Sequence, residues 1–163
     1  MTCPLIFTDE RIFRETEGVH FSDIQVPGQN GLDLVHHKST AISPPDTKEG
    51  DKQFYFHHHQ VDNNRVIYGT RLFELVNYSW MIPHWYVYLT PAIGALQIPV
   101  KTFHRSVSCK SGSILLNHAV RDDLFDEGTD FRVARPFMEK VPAPGYYNIT
   151  EAEVYLFLLN GGL

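Results

Sequence analysis

The sequence is poor in cysteine, poor in positive charge and free of long apolar runs. Its two cysteines, Cys3 and Cys109, lie far apart in 163 residues; they are too few for a disulfide scaffold, and free thiols are expected. Lys and Arg number 14 against 19 Asp and Glu, a formal net charge of -5. A nucleic-acid binder normally shows a basic face, so no nucleic-acid partner is expected. No stretch approaches the roughly 18 consecutive apolar residues of a membrane span, and no membrane partner is expected. The start MTCPLIFTDERIF carries acids early and lacks the basic-then-apolar order of a signal peptide, which leaves the cytoplasm as the default location. Internal repeats and low-complexity tracts are absent too.

What the chain has is aromatic residues, 13% of the total, and a length suited to one domain with a real core. The expected organisation is a single domain over 1–163, with an N-terminal arm to about residue 20 and a C-terminal helix at about 149–160. Turn signals recur at short intervals: PGQNG (27–31), SPPDTKEGDK (43–52), DNN (62–64), NYS (77–79), TPAIG (90–94), CKSG (109–112) and PAPG (142–145). Between them lie GLDLVHHKSTAI, FYFHHHQ, RVIYGTRLFELV, HWYVYLT, ALQIPV, TFHRSVSC and SILLNHAV. All have strand length and are rich in β-branched or aromatic residues. Pro83 and Pro99 read as strand starts, where a missing N–H costs little. Many short strands with turns between them imply an all-β sandwich or barrel, which must cover or close its edges. The early DERIFRETE fits a helical turn or an irregular arm, and both stay open. NITEAEVYLFLLNGG alone reads as a helix, with Asn148 or Thr150 as N-cap, Glu151 and Glu153 placed for a capping box, and Gly161 and Gly162 as the stop.

The stretch KQFYFHHHQVDNN holds three consecutive histidines. Alternation along a strand puts Tyr55, His57 and His59 on one face and His58 and Gln60 on the other. His57 and His59 would then be neighbours that one ion can bridge. A third ligand should come from another strand. In GALQIPVKTFHRSVS, a proline is followed five residues later by His104.

Together these two elements resemble the cupin family, whose first motif contains a Gly, H-x-H, an acid and a Gly, and whose second runs G-x5-P-x-G-x2-H-x3-N. Gly94, Pro99 and His104 follow the second motif with the Pro-to-His spacing intact and the Gly-to-Pro spacing one residue short; Lys101 and Ser108 stand where its middle Gly and final Asn would be. His57 and His59 supply the H-x-H, with Asn64 where the family has Glu. Counting back from Gly69 gives another register: His57 as second histidine, Asp62 as the acid, Tyr55 in the first histidine's place. The resemblance spans Phe54 to Ser108 and implies a double-stranded β-helix, a jelly-roll barrel with a short C-terminal helix added. It also implies a divalent transition metal (Fe, Mn, Ni, Cu or Zn) near the barrel mouth. The expected ligands are His57, His59 and His104, with Asp62 or Gln60 as a fourth; Gln60 would need a bulge to reach the ion. A metal-free barrel whose histidines bind ligand or water is the alternative. The resemblance further implies a homodimer, with the apolar CPLIF start adding a strand to a neighbour or capping its own barrel.

Further residues are assigned to the cavity by alternation and register. Tyr55 follows from His57; Arg71 and Glu74 have opposite parity, so at most one of them faces inward; Gln97 precedes Pro99 by two; Ser106 shares a face with His104. Tyr55, Arg71 and Gln97 are the expected catalytic residues. His118 and Arg121 read as rim groups, and His20, His36, His37 and His84 as surface or supporting ones. The expected activity is that of a metal-dependent enzyme on a small polar organic substrate. A second resemblance, of the segment from Ile98 to Phe137 with LFDEGTDF inside it, is to nucleotide-linked 4-keto-sugar isomerases. It implies metal-free acid–base catalysis by His57 or His59, with Arg65, Arg71 or Arg105 meeting a diphosphate. A non-catalytic small-molecule-binding cupin is a third reading.

Overall fold

The computed structural model describes residues 10–24 and 30–162. In chain order the elements are β1 (Glu10–Thr16), β2 (Val19–Ile24), β3 (Gly31–His37), β4 (Ile42–Ser43), β5 (Phe54–Phe56), β6 (Gln60–Val76), β7 (His84–Leu89), β8 (Leu96–Ile98) and β9 (Phe103–Arg121). These are followed by α1 (Glu127–Asp130), β10 (Val133–Ala134), a 3-10 turn at Met138–Lys140, β11 (Gly145–Tyr147) and α2 (Glu151–Asn160). Among the described residues the main strand order is β1-β2-β3-β9-β6-β7-β11, with β4 and β5 also on β9, β8 on β6, and β10 on β5. The fold is the jelly-roll barrel that the motifs implied.

Two long strands make the barrel, and both ran through segments that look like turns in the sequence. DNN, expected as a tight turn, lies inside β6. Asp62 and Asn64 are buried there, and Asp62 finds hydrogen-bond partners inside the barrel rather than in a turn. CKSG, also expected as a turn, lies inside β9. There the backbone bends instead of reversing: Gly112 has φ +78, facing Gly69 with φ +68 on β6. A Cβ on Gly69 would collide with the Gly112 carbonyl oxygen. The register between β6 and β9 shifts just beside this point, between Gly69 and Arg71, so a bulge bends both strands around the corner.

Beyond the corner, residues 71–76 of β6 are all buried, Arg71 and Glu74 among them. Phe73 and Leu75 face a core with Val35, Val66, Val87, Leu89, Ile98 and Leu115. Leu72, one residue out of phase, packs instead with Ile149, Val154 and Phe157 beneath α2. Full burial of Phe157 is worth about 1.5–3 kcal/mol. α2 begins as its sequence predicts: Thr150 and Glu153 form the reciprocal capping box, and Gly161 closes the helix in the left-handed conformation.

DERIFRETE is neither helical nor irregular where it is described: β1 forms an antiparallel hairpin with β2. Pro99 ends β8 rather than starting a strand, and the next strand begins at Phe103. CPLIF and most of PGQNG lie outside the described residues, as does Cys3; Cys109 is a free thiol. No helix among the described residues is long and apolar enough to cross a membrane.

Candidate metal centre

Inside the barrel lies a cavity of about 70 Å³ whose lining includes His57, Asp62 and His104. Three strands or strand ends deliver these residues. His104 is the second residue of β9 and sits opposite Tyr55 of β5; His57 follows immediately on β5; Asp62 is the third residue of β6. One potential ligand atom from each of the three lies within 4.8 Å of the others, and all three side chains are buried.

The hydrogen bonds fix what those atoms are. A carbonyl oxygen only accepts, so each ring nitrogen facing one must carry the proton. His57 Nδ1 donates to the Asp130 carbonyl at 2.6 Å, and His104 Nδ1 donates to the Thr102 carbonyl at 3.1 Å. Burial, with the neighbouring His57, pulls His104 down to about 4 against the pull of Asp62, so its ring is neutral at pH 7. His104 Nε2 therefore presents a lone pair, and His57 turns its Nε2 to the same point. The two converge on Asp62 Oδ2, at 3.6 Å from His57 and 3.4 Å from His104. The other carboxylate oxygen is occupied: Oδ1 accepts from Gln60 Nε2 at 2.6 Å and from Asn117 Nδ2 at 2.9 Å. Gln60 is held in turn by Arg121 Nε on its Oε1, 2.7 Å away. Two imidazole nitrogens and one carboxylate oxygen thus face one another in a buried place. That is a donor set for a divalent transition ion, and two His with one carboxylate is the set typical of open non-haem Fe(II) sites. The residues present fit the ion that the fold suggests.

His59 is not part of this set. The expectation that it shares a face with His57 assumed a continuous strand, and β5 stops at Phe56. Over the next residues the chain is held by Asp130, whose Oδ1 accepts the His58 and His59 backbone N–H groups at 2.8 and 2.9 Å. Burial raises the Asp130 carboxyl, but these amide bonds outweigh it and leave its pKa lowered. Alternation restarts beyond the break. His59 turns to Asp122, 3.1 Å from its Nδ1. Gln60 turns inward, only 2% exposed, so the break does the work that a bulge was expected to do. There Gln60 touches the carboxylate that faces the imidazoles. Asp130 itself was missed from the sequence. Its only local signal is the N-capping Asp126 of α1; the side chain meets the histidines 71 and 72 residues earlier.

The other expected residues divide. Tyr55 lines the cavity, with its hydroxyl 3.2 Å from Ser43 Oγ and its ring stacked on His57. Arg71 and Ser106 also line it. Glu74 has the opposite parity, as anticipated, and is buried on the far face between Lys52 Nζ at 2.8 Å and His84 Nε2 at 3.2 Å. Gln97 does not reach the cavity: it is exposed on β8 and donates to Asn63 Oδ1. Gln97 sits opposite Asn63, and the alternation that turns Asp62 and Asn64 inward turns both of these outward. His118 is exposed; His37, read as a surface or supporting group, is fully buried, with Nδ1 2.8 Å from Ser108 Oγ. A second acid, Asp33, also lines the cavity; burial pushes it up to about 7 against the pull of Arg121.

No family model and no curated protein matches the chain. Solved structures do. The capsular polysaccharide assembling protein CapF from Staphylococcus aureus aligns with TM-score 0.57 and 12% identity, over 77% of this chain and 31% of that one. The Drosophila melanogaster CENP-C cupin domain aligns with TM-score 0.52 and 14% identity, over 67% and 70%. A mutant Bacillus subtilis oxalate decarboxylase gives TM-score 0.52 and 15% identity, over 80% and 33%. The chain spans about a third of the length of CapF and of oxalate decarboxylase. These likenesses, together with the barrel described above, define a cupin fold of the RmlC-like jelly-roll type.

Proposed function

We propose that this chain is a small metal-binding cupin enzyme that acts on a small polar organic molecule at a mononuclear His57–Asp62–His104 site. The observation that carries the reading is the convergence of two imidazole nitrogens and one carboxylate oxygen in one buried place, the donor set of a divalent transition ion. His57, Asp62 and His104 would hold the ion. When bound, it would supply Lewis acidity, or redox chemistry if it is iron. The chain's own groups do the rest. Asp130 and Thr102 orient the rings; Gln60 and Asn117 orient the carboxylate; Tyr55 presents an aromatic wall; the surrounding Phe13, Phe21, Phe73 and Phe131 limit water.

Metal analysis of untagged protein tests this. About one equivalent of a divalent transition metal is expected, falling below about a tenth in His104→Ala and in Asp62→Asn while His59→Ala keeps its metal. Wild-type protein that neither contains metal nor takes it up on soaking would overturn the reading in favour of metal-free acid–base chemistry. The cavity volume already weighs against a nucleotide-linked sugar, because about 70 Å³ leaves its nucleotide outside. CENP-C, a cupin domain whose structure is known bound to CAL1, illustrates that the fold also serves binding. Metal occupancy without turnover of any small acid, diketone or thiol in air would move this chain to that class.

A further inference from the structure

We infer that Arg71 forms a carboxylate-binding subsite within the cavity, so that the small molecule taken up there is a carboxylate anion. This deepens the metal-site reading by naming its substrate class.

Three arginines line the cavity, and they differ in how their charge is met. Arg105 Nη2 is 2.7 Å from Asp46 Oδ1. Arg14 is only half-buried, its guanidinium over the Tyr55 ring. Arg71 is 2% exposed and, among the described residues, no carboxylate lies within ion-pair distance of it. Its partners are neutral: Nε donates to Ser113 Oγ and Nη2 to the Val35 carbonyl, both at 2.7 Å. Ser113 passes the chain of hydrogen bonds to Ser108 and then to His37, and burial with the nearby Arg71 charge keeps His37 neutral. The two acids lining the same cavity are engaged elsewhere, Asp62 with the histidines and Gln60, Asp33 beside Arg121 at 3.8 Å. Burial alone pulls Arg71 down to about 9, with no anion opposing it.

A buried guanidinium without a counter-charge is costly, and the hydrogen bonds it does make show where its complement belongs. Nε and one Nη2 proton are used. The end of the fork, the Nη1 protons and the second Nη2 proton, has no partner among the described residues. That end matches the two parallel oxygens of a planar carboxylate. The charge of the site agrees: a divalent ion would more than offset Asp62, Arg71 adds a further positive charge, and an anion would neutralise the excess.

The test uses wild-type protein stripped of metal with a chelator, so that ligand chelation to an ion plays no part. Malonate is the probe, malonamide its uncharged isostere, and inorganic phosphate the alternative anion. Malonate should raise Tm by a few degrees where malonamide does not, and Arg71→Lys should bind malonate about tenfold more weakly. Because Arg71→Lys removes buried hydrogen bonds and risks misfolding, a second measurement uses the wild type alone. Butanedione should modify Arg71, mapped by peptide mass, and malonate but not malonamide should protect it. Equal effects of malonate and malonamide, stabilisation by phosphate only, full malonate affinity in a folded Arg71→Lys, or an Arg71 unreactive throughout would each overturn the subsite. Metal uptake measured on the same preparation separates the two readings. Carboxylate binding without metal uptake removes only the metal, and uptake without discrimination between the probes removes only the subsite.

Discussion

Asp62 has one carboxylate oxygen saturated by two amide N–H donors and one left for the imidazoles, and that division is what makes the triad a ligand set rather than a loose cluster. The residues behind it matter correspondingly. Asp130 contributes a carbonyl to His57 and a carboxylate to the backbone of His58 and His59. Asp130→Ala should weaken metal affinity about 10–100-fold, measured by competition with a chromophoric chelator, although Asp130 itself would not bind the ion. Glu74 is the residue for pH. Its burial would raise it, but His84 and Lys52 together hold it down to about 2. A carboxylate lowered in the folded state stabilises fully above its unfolded value of about 4.3 and loses that contribution as pH falls toward about 2. Glu74→Gln should cost about 1–3 kcal/mol at neutral pH. Its Tm should also fall less steeply than the wild type's below about pH 4, as followed by circular dichroism across acid titration.

At the scale of elements, the barrel depends on where two long strands bend and where one short strand stops. Gly69 holds φ +68 against the Gly112 carbonyl. Gly69→Ala should therefore destabilise by more than about 1–3 kcal/mol, from backbone strain and collision together, in urea unfolding. α2 is the contrast: its start is local chemistry. Thr150→Ala removes the capping box and should cost about 1 kcal/mol with no change in metal content. The stop of β5 after Phe56 has the largest consequence for function, because it exchanges His59 for Gln60 on the inner face. FYFHHHQ reads as one strand by propensity, and nothing within it marks the break. Asp130 holds the break, from a short helix 71 and 72 residues further along the chain.

Over the whole molecule, polarity runs opposite to the usual pattern in one place. The barrel interior carries Asp33, Asp62, His57, His104 and Arg71 in addition to an apolar core, and these titratable groups are placed where the hydrophobic effect gives no reason for them. The fold is shared with CapF, CENP-C and oxalate decarboxylase at 12–15% identity, so the chemistry must be argued from these side chains and not from the barrel. The expected homodimer is a proposal at this scale; sedimentation at micromolar concentration should give about twice the chain mass.

The sequence by itself determined the class of fold, the C-terminal helix and two of the residues that meet in the cluster, His57 and His104. Strand composition, caps and the proline-to-histidine spacing are local or nearly local properties. It also offered Asp62 as an acid, in only one of two registers. Tertiary structure alone decided between those registers. It took Asp62 out of an apparent turn and into β6, put His59 outside, brought Gln60 in, sent Gln97 to the surface and buried Arg71 with no carboxylate in ion-pair distance among the described residues. Each of these depends on a contact between segments far apart in the chain: Asp130 with the histidine run, Asn117 with Asp62, Val35 and Ser113 with Arg71. A period-two pattern carries no record of such partners. It states which residues alternate, and a single break set by a distant carboxylate is enough to shift the phase.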